Sequence, residues 1–387
     1  MIIRIKFLRA CNLRQPSSAP TQPTGRLKHK KLKSTFIITL GMGARESSYL
    51  MLKLLSYEKW MNNNTITRLL LWCALVAGIN VHASEAIPVD DLLLKMKQAQ
   101  YQLNYQGTFV FKHAEKLDAM QIVHGLVDDK VKQRIVSLND VAREVIRDGD
   151  LVRCIWPRKR QVVVGPTSSY NGVPSIVPKD LSNVSAVYRI ESTGFNQIAG
   201  KACQLVSIMP ADNYRYGYEF CIQPQTGMLL RSKVIDTNTQ EVLEEMLFTE
   251  VRYMDSVEAH MFDSQYDLAD FKWKQSLSSE YETINRAMPQ HALTISQLPQ
   301  DFVLKNITQR KIQMSAKPVR HMVYSDSIAS VSIFISESGA KDRLKSRLTG
   351  RGAINAFTKS NERYKITVLG EVPSETVELI GASVTLK

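Results

Sequence analysis

The sequence predicts an α+β protein: a large antiparallel sheet that curls and carries helices, followed by a small C-terminal α+β domain. Three observations carry this reading. Between Tyr105 and Tyr253, about ten short runs rich in β-branched and aromatic residues follow one another, broken by turn signals such as Asp128-Asp129, Asn139-Asp140 and Asp148-Gly149-Asp150. One amphipathic helix precedes that series. Beyond a polar stretch, a second and shorter set of strands ends in a terminal helix. Many successive antiparallel strands form a meandering sheet that curls. Its concave apolar face is then either plugged core or a lipid-sized pocket, and the pattern leaves both open.

The first helix is expected over Pro88–Leu103. Pro88 suits a first helical position, Asp90 and Asp91 sit in the positive first turn, and Leu92, Met96, Ala99 and Leu103 share one face. Strands are expected at Thr108–Lys112, Ala119–Leu126, Lys130–Leu138, Ala142–Arg147, Leu151–Trp156 and Gln161–Val164. Pro174–Val187 is looser, with a short helix around Leu181. Strands resume at Tyr188–Gly194, Gln204–Met209, Tyr214–Ile222, Met228–Asp236 and Val242–Tyr253, with Gln225-Thr226-Gly227 as a turn. Residues 84–265 make up this first domain. Residues 266–290 lose the strand pattern, gain Ser, Gln and Glu, and read as a linker. Residues 291–387 then hold strands near Arg310–Met314, Val319–Tyr324, Ile328–Ser336, Ala353–Thr358 and Tyr364–Leu369. A Gly- and Arg-rich loop spans Gly339–Gly352. Pro373 opens a last helix with Val377, Ile380 and Val384 on one side.

The formal net charge of +13 invites a nucleic-acid reading, but ten of those charges lie in residues 1–60, leaving three for Met61 onward. A domain that grips phosphates needs its Lys and Arg clustered on the folded part, so no nucleic-acid partner is expected. Residues 1–60 show no sustained period of 2 or 3.6. They read as a non-native or disordered extension, translated from a start placed too early. Met61–Ala83 reads as a secretory signal peptide. Asn62–Arg68 is a polar lead with one positive charge, and Leu69–Ile79 is an apolar run inside the ~7–15 residues of an h-region. Val81-His82-Ala83 offers small residues for cleavage between Ala83 and Ser84. The apolar run is short of the ~20 residues that span a bilayer. Localisation in the periplasm of a Gram-negative bacterium follows as the expectation.

Of five cysteines, the part from Ser84 onward keeps Cys154, Cys203 and Cys221. An oxidising compartment permits a disulfide. Cys203 and Cys221 flank a hairpin-like stretch symmetrically about Asp212, so they either bond across two strands or are two small buried thiols.

The chain holds no G-x-S-x-G, H-E-x-x-H, P-loop or strand-borne G-x-G-x-x-G. His113, His124, His260, His291 and His321 are scattered without metal-ligand spacing. No catalytic residue, metal or cofactor is therefore assigned, and an enzyme is not expected. His124, inside an apolar strand, reads as a hydrogen-bonded structural histidine. Glu244-Glu245 alternate across a strand and read as solvated. Tyr214, Tyr216, Tyr218 and Phe220 have period 2, one aromatic face of a strand. Lys341, Arg343, Lys345, Arg347 and Arg351 form a basic run, solvated or set against anionic headgroups or an acidic protein segment.

A series of short stretches in order carries a family resemblance. They are Asn104–Val110, His124, Arg143–Arg147, Arg215-Tyr216-Gly217-Tyr218-Glu219 and Thr226–Arg231. The second domain adds Leu298-Pro299, Tyr324-Ser325-Asp326, Ala329–Phe334 and Gly370-Glu371-Val372-Pro373. Together they resemble the RseB/MucB family, periplasmic negative regulators of the sigma-E (AlgU-type) envelope-stress response. At Asn139-Asp140, Asp301 and Ser327 this chain departs from glycines common in the family, and Ser327 is the least comfortable replacement.

The resemblance implies a first domain similar to the lipoprotein carrier LolA, a half-open barrel with helices in its mouth. It implies binding to the periplasmic part of a membrane-bound anti-sigma factor of RseA/MucA type, shielding it from site-1 proteolysis. Release by a lipid-like or lipopolysaccharide signal is implied as well, and a homo-oligomer is open. Tyr324, Ser325, Asp326, Lys341, Arg343, Lys345, Arg347 and Arg351 are the expected partner contacts. The alternative function is a periplasmic lipid or lipoprotein carrier or sensor of LolA type. N-terminal sequencing of the exported protein is expected to start at Ser84; a native product that retains residues 1–60 overturns the reading of the leader.

Overall fold

A computed structural model of the chain describes residues 86–139, 143–167, 186–275, 293–310, 319–338 and 346–386. No described helix is long and apolar enough to cross a membrane. The expected helix forms as α1, Val89–Gln102, and buries Leu92, Leu93, Met96 and Ala99. Asp90 and Asp91 sit in its first turn, where the exposed backbone N–H groups favour negative charge.

Strands β1 (Tyr105–His113), β2 (Lys116–Val127), β3 (Lys130–Ser137), β4 (Glu144–Asp148), β5 (Leu151–Trp156) and β6 (Gln161–Pro166) form a meander. After them come β7 (Tyr188–Ile198), β8 (Lys201–Pro210), β9 (Gly217–Ile222), β10 (Leu229–Asp236), β11 (Glu241–Tyr253) and β12 (Lys272–Gln275). They pair in the order β12-β6-β5-β4-β3-β2-β1-β11-β10-β9-β8-β7. The two runs of hairpins meet where β1 pairs with β11. The sheet curls enough to bring β7 back toward β11, and α1 lies against both β2 and β7 across the concave side. The helix stripe meets Phe109, Phe111, Met120, Phe220 and Phe248 in one continuous core. Residues 168–185, which include the expected helix around Leu181, and Asp140 lie outside the described residues.

The stretch read as a linker from residue 266 instead begins as part of this domain. Tyr266, Leu268 and Phe271 pack on Ile146, Ile155 and Val162. β12 then pairs parallel with β6. Buried Glu144 anchors the segment, accepting hydrogen bonds from Arg134 Nε at 2.5 Å and Ser264 Oγ at 2.5 Å. Its low hydrophobicity hid the packing, because three apolar residues and one buried carboxylate do the fastening. Residues 276–292 lie outside the described residues.

The second domain adds β13 (Leu293–Ile295), β14 (Val303–Arg310), β15 (Val319–Ser325), β16 (Ser330–Glu337), β17 (Ser346–Arg351), β18 (Ile354–Ser360) and β19 (Tyr364–Gly370). It closes with α2 (Ser374–Ser383) and β20 (Val384–Leu386). Six strands form a sheet in the order β14-β15-β16-β19-β18-β17, and β13 pairs with β20. Val377 and Ile380 of α2 enter a core with Val331, Ile333, Phe357 and Val368. Val384, placed on the last helix by the sequence, begins β20 instead. The Lys359 ammonium donates to the carbonyls of Ala382 and Val384 there, satisfying groups the helix end leaves open. Of the strand expected near Arg310–Met314, residues 311–314 lie outside the described residues; β14 reaches Arg310.

The turn after β9 shows how α1 is seated. Gly227 has φ +71°, and a Cβ there would stand 2.4 Å from the Lys95 carbonyl oxygen in α1. Lys95 Nζ donates to the Pro224 carbonyl at 3.3 Å. The turn fits under the helix only as glycine. Gly227→Ala is expected to lower stability in urea unfolding by about 1–3 kcal/mol, through strain at positive φ and the displaced helix.

Candidate functional site: the joint between the two domains

The lead-in to β9 supplies the joint. Tyr214–Tyr216 precedes the strand, so strict alternation does not yet govern where its side chains point. Arg215 is fully buried, and each of its three guanidinium nitrogens donates a hydrogen bond. Nε donates to Asp326 Oδ2 at 2.5 Å, Nη1 to Asp212 Oδ2, and Nη2 to the Gln300 carbonyl. The cation also stands 4.8 Å from the centre of the Phe302 ring and 5.7 Å from that of Tyr188.

Asp326 is the receiving half. Its Oδ2 also accepts from the Tyr188 hydroxyl at 3.0 Å. Its Oδ1 accepts from the backbone N–H of Ile328 at 2.9 Å and of Ala329 at 2.7 Å. Burial first, and then the Asp326 carboxylate, push the Tyr188 hydroxyl far above the ordinary tyrosine range, so it stays a donor. Asp301 (φ +63°) and Ser327 (φ +90°) take the left-handed backbone that glycine favours. Both flank the joint.

Three more contacts widen it. Asn355 Nδ2 donates to the Tyr216 hydroxyl at 2.9 Å, and Thr376 Oγ1 to the Tyr214 carbonyl at 2.8 Å. Burial raises the Tyr216 hydroxyl above its usual range as well. The Ala353 N–H points to Glu244 Oε1 at 3.3 Å. Glu244, expected in solvent, is buried because the β17–β18 turn of the second domain covers it. Ile328 and Ala353 complete the first domain's core from the second.

The expected partner contacts divide. Ser325 and Asp326 are buried inside this joint, and Ser325 Oγ donates to the Ala329 carbonyl. Their hydrogen-bonding capacity is spent within the chain, which removes them as surface contacts. Tyr324 is half-buried against the second core. Arg347 and Arg351 sit on the exposed edge strand β17 rather than in a loop. Lys341, Arg343 and Lys345 lie outside the described residues, as do Ala83 and Ser84.

Cys203 and Cys221 are bonded, with a Cα–Cα distance of 5.3 Å. Leu205 pairs with Cys221 and Gln204 with Ile222, so the hairpin centres on Asn213 rather than Asp212 and the bond runs diagonally. A closure of this length stabilises by about 3 kcal/mol on a chain-entropy estimate. It fixes β8 to β9, the strands between which Arg215 is presented. His124 is structural, as read: Nδ1 lies 2.7 Å from the Leu103 carbonyl and the ring stacks on Tyr105.

Beneath α1, Met96, Ala99, Tyr105, Met228 and Leu229 line a cavity of about 10 Å³. That is room for about one water. There the concave face is packed against the helix rather than hollow.

The fold and the joint define a two-domain protein in which a curled sheet and a small sheet domain are fastened by one buried cation. The chain belongs to the MucB/RseB family: the family's N-terminal domain matches residues 88–266 and its C-terminal domain residues 287–385. It is 26% identical over 302 residues to the sigma-E factor regulatory protein RseB of Haemophilus influenzae, covering 78% of this chain and 92% of that one. Similarity to the sigma factor AlgU regulatory protein MucB of Pseudomonas aeruginosa is 24% over 332 residues, covering 83% and 97%. The fold is also that of the solved Pseudomonas aeruginosa MucA/MucB complex, with TM-score 0.59, 21% identity, and coverage of 77% of this chain and 99% of that one.

Removing one partner from a buried charge pair strands the other. Asp326→Asn and Arg215→Met are each expected to cost about 3–5 kcal/mol in urea unfolding. The combined Arg215→Met, Asp326→Asn variant is expected to cost less than the sum of the single changes. A double-mutant cycle checks this, and additivity of the two would show that the pair is not coupled.

Proposed function

We propose that this protein is an exported periplasmic regulator that works by binding. Its partner is the periplasmic segment of a membrane-bound anti-sigma factor of RseA/MucA type. Held on the regulator, that segment cannot enter a protease cleft as an extended strand, so site-1 cleavage is slowed and the sigma-E response is restrained. The observation that carries the reading is the family match across both domains, on a body whose charged cluster is used up in fastening them. A solved relative of the same fold is a MucB crystallised with MucA(peri).

Release by a lipid-like signal requires that the signal favour a state with lower affinity for the segment. The cavity below α1 is water-sized, so a ligand seated at that point would have to displace the helix. At that point beneath α1 there is likewise no cargo-sized space of the kind a carrier of LolA type would use.

Two measurements test the proposal. The protein from Ser84 onward is expected to retain the anti-sigma periplasmic segment in a pull-down and to slow its site-1 cleavage in proportion to the bound fraction. No retention by folded protein overturns the function. Added lipopolysaccharide is expected to lower the affinity; an unchanged affinity removes the signal from the proposal and leaves the binding.

A further inference from the structure

The described strands leave several sheet edges open, and they are not equivalent. β7 is bulged between Ser192 and Gly194, and β14 between Leu304 and Asn306. β12 has four residues, and the strands of the β13–β20 pair have three each. Bulges and short length are how proteins blunt an edge against added strands. β17 has neither device. Its six residues, Ser346-Arg347-Leu348-Thr349-Gly350-Arg351, pair with β18 in unbroken register, and all six are exposed.

Charge decides what such an edge accepts. Arg347 pairs with Thr358, Thr349 with Ala356 and Arg351 with Ile354, so the two arginines project from one face. Four residues of strand set them roughly 13 Å apart. Neither guanidinium has an ion-pair or hydrogen-bond partner among the described residues. A second copy of the chain is a poor occupant: antiparallel pairing of two β17 strands about Thr349 sets Arg347 against Arg351 twice. Like charges directly opposite one another destabilise a ladder. The same repulsion rejects basic strands, and the two cations attract acidic ones.

The geometry points to β17 as a strand-addition site for an extended acidic protein segment, with carboxylates four residues apart meeting Arg347 and Arg351. Backbone hydrogen bonds along the edge supply affinity, and the two arginines set choice and register. This deepens the function proposed above by naming how part of the partner is held, and it rests on that reading.

The probe is the anti-sigma periplasmic segment, with hydrogen exchange followed on the whole regulator. Binding is expected to protect backbone amides within Ser346–Arg351. The Arg347→Glu, Arg351→Glu variant is expected to weaken binding by at least about tenfold at low salt, and by less as salt rises. Both side chains are exposed, so folding should be kept; if circular dichroism shows otherwise, Arg347→Gln, Arg351→Gln replaces it with the same direction expected. Exchanging the matching acids of the segment for lysine is expected to restore binding to the Glu variant. Binding by the wild type with β17 amides unprotected, or with unchanged affinity in the charge variants, overturns the strand-addition site and leaves the regulator intact. A folded wild type that does not bind the segment overturns both.

Discussion

Everything in the second half of this structure hangs on removing one guanidinium from water. Burial of an unpaired charge is prohibitive, so Arg215 fixes its surroundings rather than adapting to them. Asp212 comes from its own loop, Gln300 from the approach to β14 and Asp326 from the end of β15. Only the folded second domain brings the last two together. Phe302 and Tyr188 close the ring faces around the cation. Asp326 spends its other oxygen on the N–H groups of Ile328 and Ala329, which holds Ser327 in a backbone conformation that a non-glycine residue resists. Strain at Ser327 and the burial of Arg215 are therefore one balance: the turn is held open to the left-handed region because the carboxylate it shapes is needed.

The same cluster sits at one end of a stiff element. β9 runs from the lead-in that carries Arg215 to the turn Gln223–Gly227, and that turn lies under α1. The Cys203–Cys221 bond prevents β8 and β9 from sliding past each other. A displacement of the helix thus has a short, rigid route to the joint. Position along a route is not coupling by itself; coupling requires that both ends bias the same two arrangements. At the α1 end the contact is tight: a Cβ on Gly227 would stand 2.4 Å from the Lys95 carbonyl oxygen.

How legible this was from the residues depended on whether periodicity or partnership set each position. Tyr214 and Tyr216 lie before β9, whereas Tyr218 and Phe220 on that strand, the α1 stripe, the meander and the buried His124 follow from spacing alone and stand where spacing puts them. Arg215 does not. Between Tyr214 and Tyr216 it takes the parity of a solvent-facing residue, and it is buried because β9 begins two residues later. Glu244 fails for a related reason: alternation is right within its strand, but the covering surface comes from Ala353, more than a hundred residues on. The onset of the linker was misread because β12 is only four residues long and wholly exposed. The one signal that reaches across the domains is the pair Asp301 and Ser327, non-glycine residues at which the family resemblance leads one to expect glycine. They marked unusual backbone without saying what it was for.

A joint built on a hydrogen-bonded cation behaves differently from one built on apolar contact. Apolar surfaces lose stability gradually as they slide, because burial is non-directional. The Arg215 cluster is directional on every arm. A shift of about 1 Å between the domains breaks several charge-assisted hydrogen bonds at once and leaves a buried charge unpaired. Replacing the cluster with apolar residues would often be neutral or stabilising in other proteins, so its presence is not explained by stability. It is explained by discreteness. A buried charge therefore sets the relative position of the two domains more narrowly than apolar contact would, and it does so from within the chain.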